Sequence, residues 1–293
     1  MSLFDQKRGD WDERFRRVAI RRVRKAARSL IEAGEADRDA IVHETRKSIK
    51  RARSVARLSR YALGKKRFRF VDARFQEAGR LISRLRDATI LIETLDRLIK
   101  SYGPARDDQS IEALRNFLVA EKASATTSSE SEGTFDEVES ILKKVSRYLN
   151  RFRPRLDRES IARGLRKIES RSRRAFREAV DSSSDERLHT WRKRMKDLRN
   201  ALEFLAGDEA GSGLESERLK EVQESAEVLG EDHDLALLRI AAVDRFARAN
   251  RDASIDEVVG WIDQERGELY KRLIVSGRRI HRERSTQNVS FRG

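Results

Sequence analysis

The chain contains no cysteine, which excludes disulfide staples and thiolate metal sites. Proline occurs only at Pro104 and Pro154, so little interrupts long helices. No Asn-Gly or Asp-Gly turn joins alternating apolar runs, which argues against a β-rich fold. No stretch approaches the roughly 18 apolar residues of a membrane span. Met1 to Asp10 lacks the apolar centre of a signal peptide. These absences lead us to expect a soluble, cytoplasmic, helical protein.

Charge is what the chain has in excess. Of 293 residues, 39% are charged, and 65 Lys and Arg stand against 50 Asp and Glu, a net charge of +15. Such an excess suits a negative partner: nucleic acid, polyphosphate or an anionic membrane surface. Charge alone does not separate them.

Helical periodicity runs through most of the sequence. Over residues 11–33, Phe15, Ala19, Val23, Ala26, Ala27 and Leu30 share one face, with Arg14, Arg17, Arg21, Lys25 and Arg28 opposite. Gly34 is a candidate stop, and Asp37 or Asp39 a candidate start for a second helix ending at Gly64. A third helix is expected over 66–100, ended by Ser101-Tyr102-Gly103-Pro104, and a further one over 106–122. The Ser/Thr/Glu-rich segment 124–133 has little to bury and reads as a loop. Helix resumes over 135–150, and Arg153-Pro154 ends a first half.

A second half repeats the plan. Ile161, Leu165, Ile168, Phe176 and Ala179 line one face of 158–180, with Arg163, Arg166, Lys167, Arg173, Arg174 and Arg177 on the other. Ser182-Ser183-Ser184-Asp185 offers caps for the next helix, which ends near Gly207. Helices are then expected over 214–250 and 254–277, with a frayed basic tail over 278–293. The expected organisation is a tail over 1–10 and one domain over 11–277. That domain divides into repeats over 11–150 and 155–277. The fold class is all-α: two antiparallel four-helix bundles related by internal duplication with pseudo-twofold symmetry.

The strongest mark of duplication is a histidine-led block. His43 to Arg53 and His189 to Arg199 both read H-x-x-R-K-x-x-K-x-x-R, 146 residues apart. On a helical wheel Arg46, Lys47, Lys50 and Arg57 share the stripe of His43, and Arg192, Lys193 and Lys196 that of His189. Ile49, Ala52 and Ala56 back the first stripe as Met195, Leu198 and Leu202 back the second. A solvated basic face is the simple reading of one such helix. Like charges at i, i+3 and i+4 repel, however, and the stripes hold almost no acid. A bound polyanion explains two such stripes more easily. Arg presents a planar fork to phosphate oxygens, Lys a mobile point charge, and His a donor whose charge a phosphate would favour. Asp87 and Asp234 follow the histidines at 44 and 45 residues and are expected to hold a basic residue in place. Asp232, His233 and Asp234 are consecutive on a helix and make a poor metal set. We expect no metal and no cofactor.

At these residues the chain resembles the CHAD family, the conserved-histidine α-helical domain. The resemblance rests on the two blocks, on Leu85-Arg86-Asp87 and on Leu229-Gly230 with Asp234, and covers about 10–277. It implies two four-helix bundles and binding of inorganic polyphosphate along a central groove or pore, without catalysis. The implied binding residues are His43, Arg46, Lys47, Lys50, Arg51, Arg53, His189, Arg192, Lys193, Lys196 and Arg199. Arg57 joins them by its place on the stripe. Arg17, Arg21, Lys25, Arg173 and Arg174 are expected to extend the surface. Family members often accompany polyphosphate-processing domains; this chain reads as a stand-alone module, cytoplasmic and associated with polyphosphate granules. Ile82-Ser83 stands where the family has Leu-Gly, Ala88-Thr89 where a second Asp is common, and Asp197 where a base matches Arg51. The last departure suggests weaker binding by the second half.

Two rival readings stay open. The same cations could neutralise a nucleic-acid backbone. Few aromatics interleave with the stripes, although Phe68 and Phe70 lie within a basic run. A polyphosphate hydrolase or kinase would want clustered carboxylates and usually a nucleotide loop, and neither stands out.

Overall fold

A computed structural model describes residues 8–32, 38–103, 108–131, 133–182, 184–207, 214–250 and 253–282. For residues 8–10, 38, 84–87, 128–131 and 214–216 the description covers the backbone alone. The described residues are helices and short connections without a strand. In order they form α1 (Arg8–Arg16), a π-helical stretch (Arg17–Arg22), α2 (Val23–Glu32), α3 (Arg38–Leu58), α4 (Arg60–Leu63) and α5 (Lys65–Leu81). There follow α6 (Ser83–Tyr102), α7 (Asp108–Ser131), α8 (Thr134–Phe152), α9 (Arg158–Asp181) and α10 (Asp185–Ala206). The last are α11 (Leu214–Ile240), a second π-helical stretch (Ala241–Phe246), α12 (Ala247–Ala249) and α13 (Asp256–His281). None of these helices is long and apolar enough to cross a membrane.

Local chemistry sets the ends. Asp157 caps α9 by accepting from the Ser160 amide at 2.8 Å, and Ser184 caps α10 through the Arg187 amide. At the other end of α10, Gly207 turns the chain at φ +73°. Arg14 of α1 reaches that end and donates to the carbonyls of Phe204 and Leu205 at 3.2 Å. A side chain at position 207 would collide with its guanidinium. Gly34, Asp37 and Pro104 lie outside the described residues.

Several expected boundaries are corrected. The segment expected as a loop over 124–133 is helical to Ser131. Its hydroxyls bond back along the helix, Thr126 to the Lys122 carbonyl and Thr127 to that of Ala123, so its polarity does not unwind it. The helix expected over 66–100 breaks at Ile82, which separates α5 from α6. The one expected over 39–63 breaks at Ser59. The tail expected before residue 11 is helical from Arg8. The tail expected from Arg278 is helical to His281, and Arg279 is held there by Glu221 at 2.7 Å.

The buried side chains gather in two clusters. The larger draws on α1–α3, α5, α8–α10, the first part of α11 and Leu273 of α13. The smaller draws on α6, α7, the end of α11 with its π-helical stretch, and the first part of α13. Each mixes residues from before and after the Arg153-Pro154 break, so neither sequence half encloses a core of its own. Ile49, Ala52, Ala56, Met195, Leu198 and Leu202 are all buried in the larger cluster. Gly164 lets α9 lie against the end of α3: a Cβ there would stand 1.8 Å from the Leu58 carbonyl oxygen. Any side chain at 164 would force the helices apart.

Candidate functional site

α3 and α10 carry the two basic blocks and pack directly on each other. Their crossing is polar. Asn200 donates to Ser54 at 3.0 Å, and Ser54 donates to Asp197 at 3.1 Å. Arg57 donates through one nitrogen to both oxygens of Asp197 at 2.6 Å. Arg51 lies 3.6 Å from Glu203. With the 146-residue offset of the blocks, position 51 matches 197, 54 matches 200 and 57 matches 203. The Arg51–Glu203 and Arg57–Asp197 pairs are therefore counterparts with the charges exchanged. Ser54 and Asn200 are counterparts that bond each other. Asp197, the departure noted in the second block, is buried in this clamp and also lies 3.6 Å from Arg194.

Acids offset several stripe cations, some from other helices, where the sequence did not reveal them, and some from the same helix. Arg53 forms a bidentate pair with Asp72 of α5, at 2.8 Å and 3.3 Å, and also donates to Gln76. Arg57 lies 3.2 Å from Asp72. Asp72 sits well within reach of both guanidiniums; burial alone would raise its pKa, and the two arginines lower it below the ordinary carboxylate value. Arg199 lies 3.3 Å from Glu203. Arg192 lies 3.7 Å from Asp234. Asp87 has its side chain outside the described residues. Arg46 donates to the Ile82 carbonyl at 3.1 Å, securing the α5–α6 break. Lys47 is exposed and lies 3.2 Å from Glu44.

The remaining cations converge where the two helices run toward their N-terminal ends. Lys196 is deprived of water, and Arg192, Lys50 and Arg199 add repulsion that Asp234 offsets only in part; its pKa falls to about 6. Burial and then Arg194, Arg192 and Arg53 lower that of Lys193. Among the described residues no carboxylate forms an ion pair with Lys193 or Lys196. His189 is half-buried and its Nδ1 stands 3.1 Å from Nδ1 of His233, the rings stacked at 4.3 Å. One ring must donate and the other accept, so the pair holds at most one proton at this contact. Burial first, then Lys193, Arg192, Lys196 and Lys50, bring His189 down to about 4. His233 is depressed too, by burial and then Arg192. Lys50 of α3 thus acts on both His189 and Lys196 of α10, which places the two stripes in one field. His43, by contrast, is exposed on α3.

His233 is a site residue that sequence reasoning missed. The available signal was its spacing: His233 follows His189 by 44 residues, as Asp87 follows His43. Asp232, one residue earlier, faces away and accepts from Arg266 of α13 at 2.9 Å. Among the described residues no three potential metal ligands converge. On α11 the polar run 232–234 falls between Leu229 of the larger cluster and Leu235 of the smaller. The cationic site thus lies along the seam between the two cores.

The residues expected to extend the surface are distributed over other faces. Arg17, Arg21 and Lys25 are exposed along the first helical segment, with Arg21 paired to Glu13. Arg174 is exposed and donates to Glu178 at 2.7 Å. Arg173 lines a cavity of about 470 Å³ together with Arg218, Glu169 and His281.

This charge arrangement gives the ligand-free chain a pH dependence. His189 and Lys196 have folded pKa values near 4 and 6, below their ordinary 6.5 and 10.5. Between each pair of values the unfolded chain binds more protons, so stability rises with pH. The contribution of His189 is complete above about 6.5 and is lost as pH falls toward 4. That of Lys196 grows from about pH 6 toward 10.5. Urea denaturation should show stability climbing from pH 4 to 9. Lys196→Met should flatten the upper part of that curve. An unchanged slope above pH 7 in the variant would refute the assignment.

A family model described as the CHAD domain matches residues 29–243, which include both basic blocks. No curated protein matches the chain.

Proposed function

The chain belongs to the CHAD-domain family, and on that premise we propose that it binds inorganic polyphosphate along the α3–α10 seam without acting on it. CHAD domains are commonly associated with polyphosphate-related proteins. The observation that carries the reading is Lys196. A half-buried lysine beside Lys50, Arg192 and Arg199 is charged only at a cost, and a phosphate chain would favour its protonated form. A linear polymer suits the layout, because cations from two crossing helices can meet successive phosphates. The exchanged pairs about Ser54 and Asn200 support an internal duplication with pseudo-twofold symmetry, each repeat contributing one helix to the site. In this reading the histidines bind and do not react, and the protein works in the cytoplasm at polyphosphate granules.

Binding should be linked to protons. A bound anion favours charged Lys196 and a single proton shared by the His189–His233 pair, so complex formation takes up protons and weakens as pH rises from 6 to 8.5. Calorimetric titration with orthophosphate, tripolyphosphate and a long chain, in buffers of different ionisation enthalpy, tests both points. Affinity should rise with chain length and fall with salt. Equal affinity for orthophosphate and the long chain would overturn the reading.

A further inference from the structure

A second cationic surface lies away from this seam, where α4, the start of α5, the end of α8 and the start of α9 meet. Its composition differs. Arg163 of α9 lies over the Tyr61 ring at 4.4 Å, and Arg60 contacts the rings of Tyr61 and Phe68 at 5.5 Å and 4.9 Å. Arg67 lies over Phe152 at 3.9 Å, and Phe70 packs against Tyr148 at 4.7 Å. Tyr61 and Phe70 remain 38% exposed, a large fraction for such rings beside a well-formed core. Among the described residues no carboxylate forms an ion pair with Arg60, Lys65, Lys66, Arg67, Arg69 or Arg163.

We infer that this corner binds single-stranded nucleic acid. Phosphates of the strand would be met by Lys65, Lys66 and Arg69, which are exposed on the first turns of α5. Unpaired bases would stack on Tyr61 and Phe70 and on the guanidinium of Arg163, which lies over the Tyr61 ring. Inorganic polyphosphate has no flat apolar part and draws nothing from exposed rings. A membrane surface is disfavoured because α5 spends its apolar face, Val71, Phe75 and Ala78, on the core, leaving no apolar stripe to insert. The inference does not depend on the reading of the α3–α10 seam.

The test is fluorescence anisotropy with a labelled oligouridylate, beside polyphosphate titration and sedimentation with anionic vesicles. The double variant Tyr61→Ala/Phe70→Ala should bind oligouridylate about ten- to a hundredfold more weakly and polyphosphate as before. Tyr61→Phe/Phe70→Tyr should retain the affinity, which separates stacking from misfolding. Lys65→Glu/Lys66→Glu, at exposed positions, should lower both the affinity and its salt dependence. The inference is overturned if the alanine pair leaves oligouridylate binding intact, or if the wild-type chain binds none. It is equally overturned if vesicles, not oligouridylate, respond to these variants, or if Lys50→Glu/Lys196→Glu abolishes oligouridylate binding.

Discussion

Reversing Lys50 and Lys196 to glutamate should weaken binding of long polyphosphate by at least about a hundredfold. Each lost charge-assisted contact removes about 1.5–3 kcal/mol, and about 1.4 kcal/mol is a factor of ten. The new carboxylates would also repel the ligand. Arg278→Glu, at an exposed position near the end of α13, changes net charge with the same sign and should have little effect at ordinary salt. Equal losses in both proteins would reduce the site to general surface charge. Lys196→Met sharpens the test. It should weaken binding yet stabilise the free protein, since it removes a half-buried amine crowded by Arg192 and Lys50. A structural role alone would move both measurements the same way.

The second large effect is on stability. Arg57→Ala should destabilise the chain by about 3–5 kcal/mol, the usual result of leaving a buried charge without its partner. Asp197 is 7% exposed and depends on Arg57 for its shortest contacts. Removing both charges, as Arg57→Leu/Asp197→Leu, should recover a large part of that loss. Urea denaturation of the two single variants and the double variant measures the coupling. Additive losses would mean that the pair does not act as a unit.

Much of this arrangement was legible in the sequence, and the failures have physical causes. The apolar backs of the two blocks, from Ile49 and Met195 onward, follow from helical spacing and are buried as expected. Ser184 and Gly207 mark the ends of α10 because capping is local chemistry. Asp72, Asp234 and the reach of Glu203 to Arg51 were invisible because they come through packing, at 15, 42 and 152 residues along the chain, whereas the Arg199–Glu203 pair is local to one helix. His233 was missed for the same reason: a helical wheel compares residues on one helix, and its partner His189 is on another. The loop expected over 124–133 failed because low hydrophobicity measures what a segment can bury, whereas Thr126 and Thr127 satisfy their own hydroxyls along the helix. The mixing of both halves in each apolar cluster could not be read from a pattern that reports only which face is apolar.

Under the proposed duplication, the crossing at Ser54 and Asn200 makes the two halves non-interchangeable. In a dimer of identical subunits, a residue on the twofold axis must face its own copy. Two copies of the first repeat would set Arg51 against Arg57, and two of the second would set Asp197 against Glu203. Both pairings repel. Only the unlike combination, first repeat with second, brings opposite charges together. On the first-half helix the crossing is basic, through Arg51 and Arg57, and on the second-half helix acidic, through Asp197 and Glu203. Such a division disfavours pairing of either half with its own copy at this crossing and favours pairing with the other half.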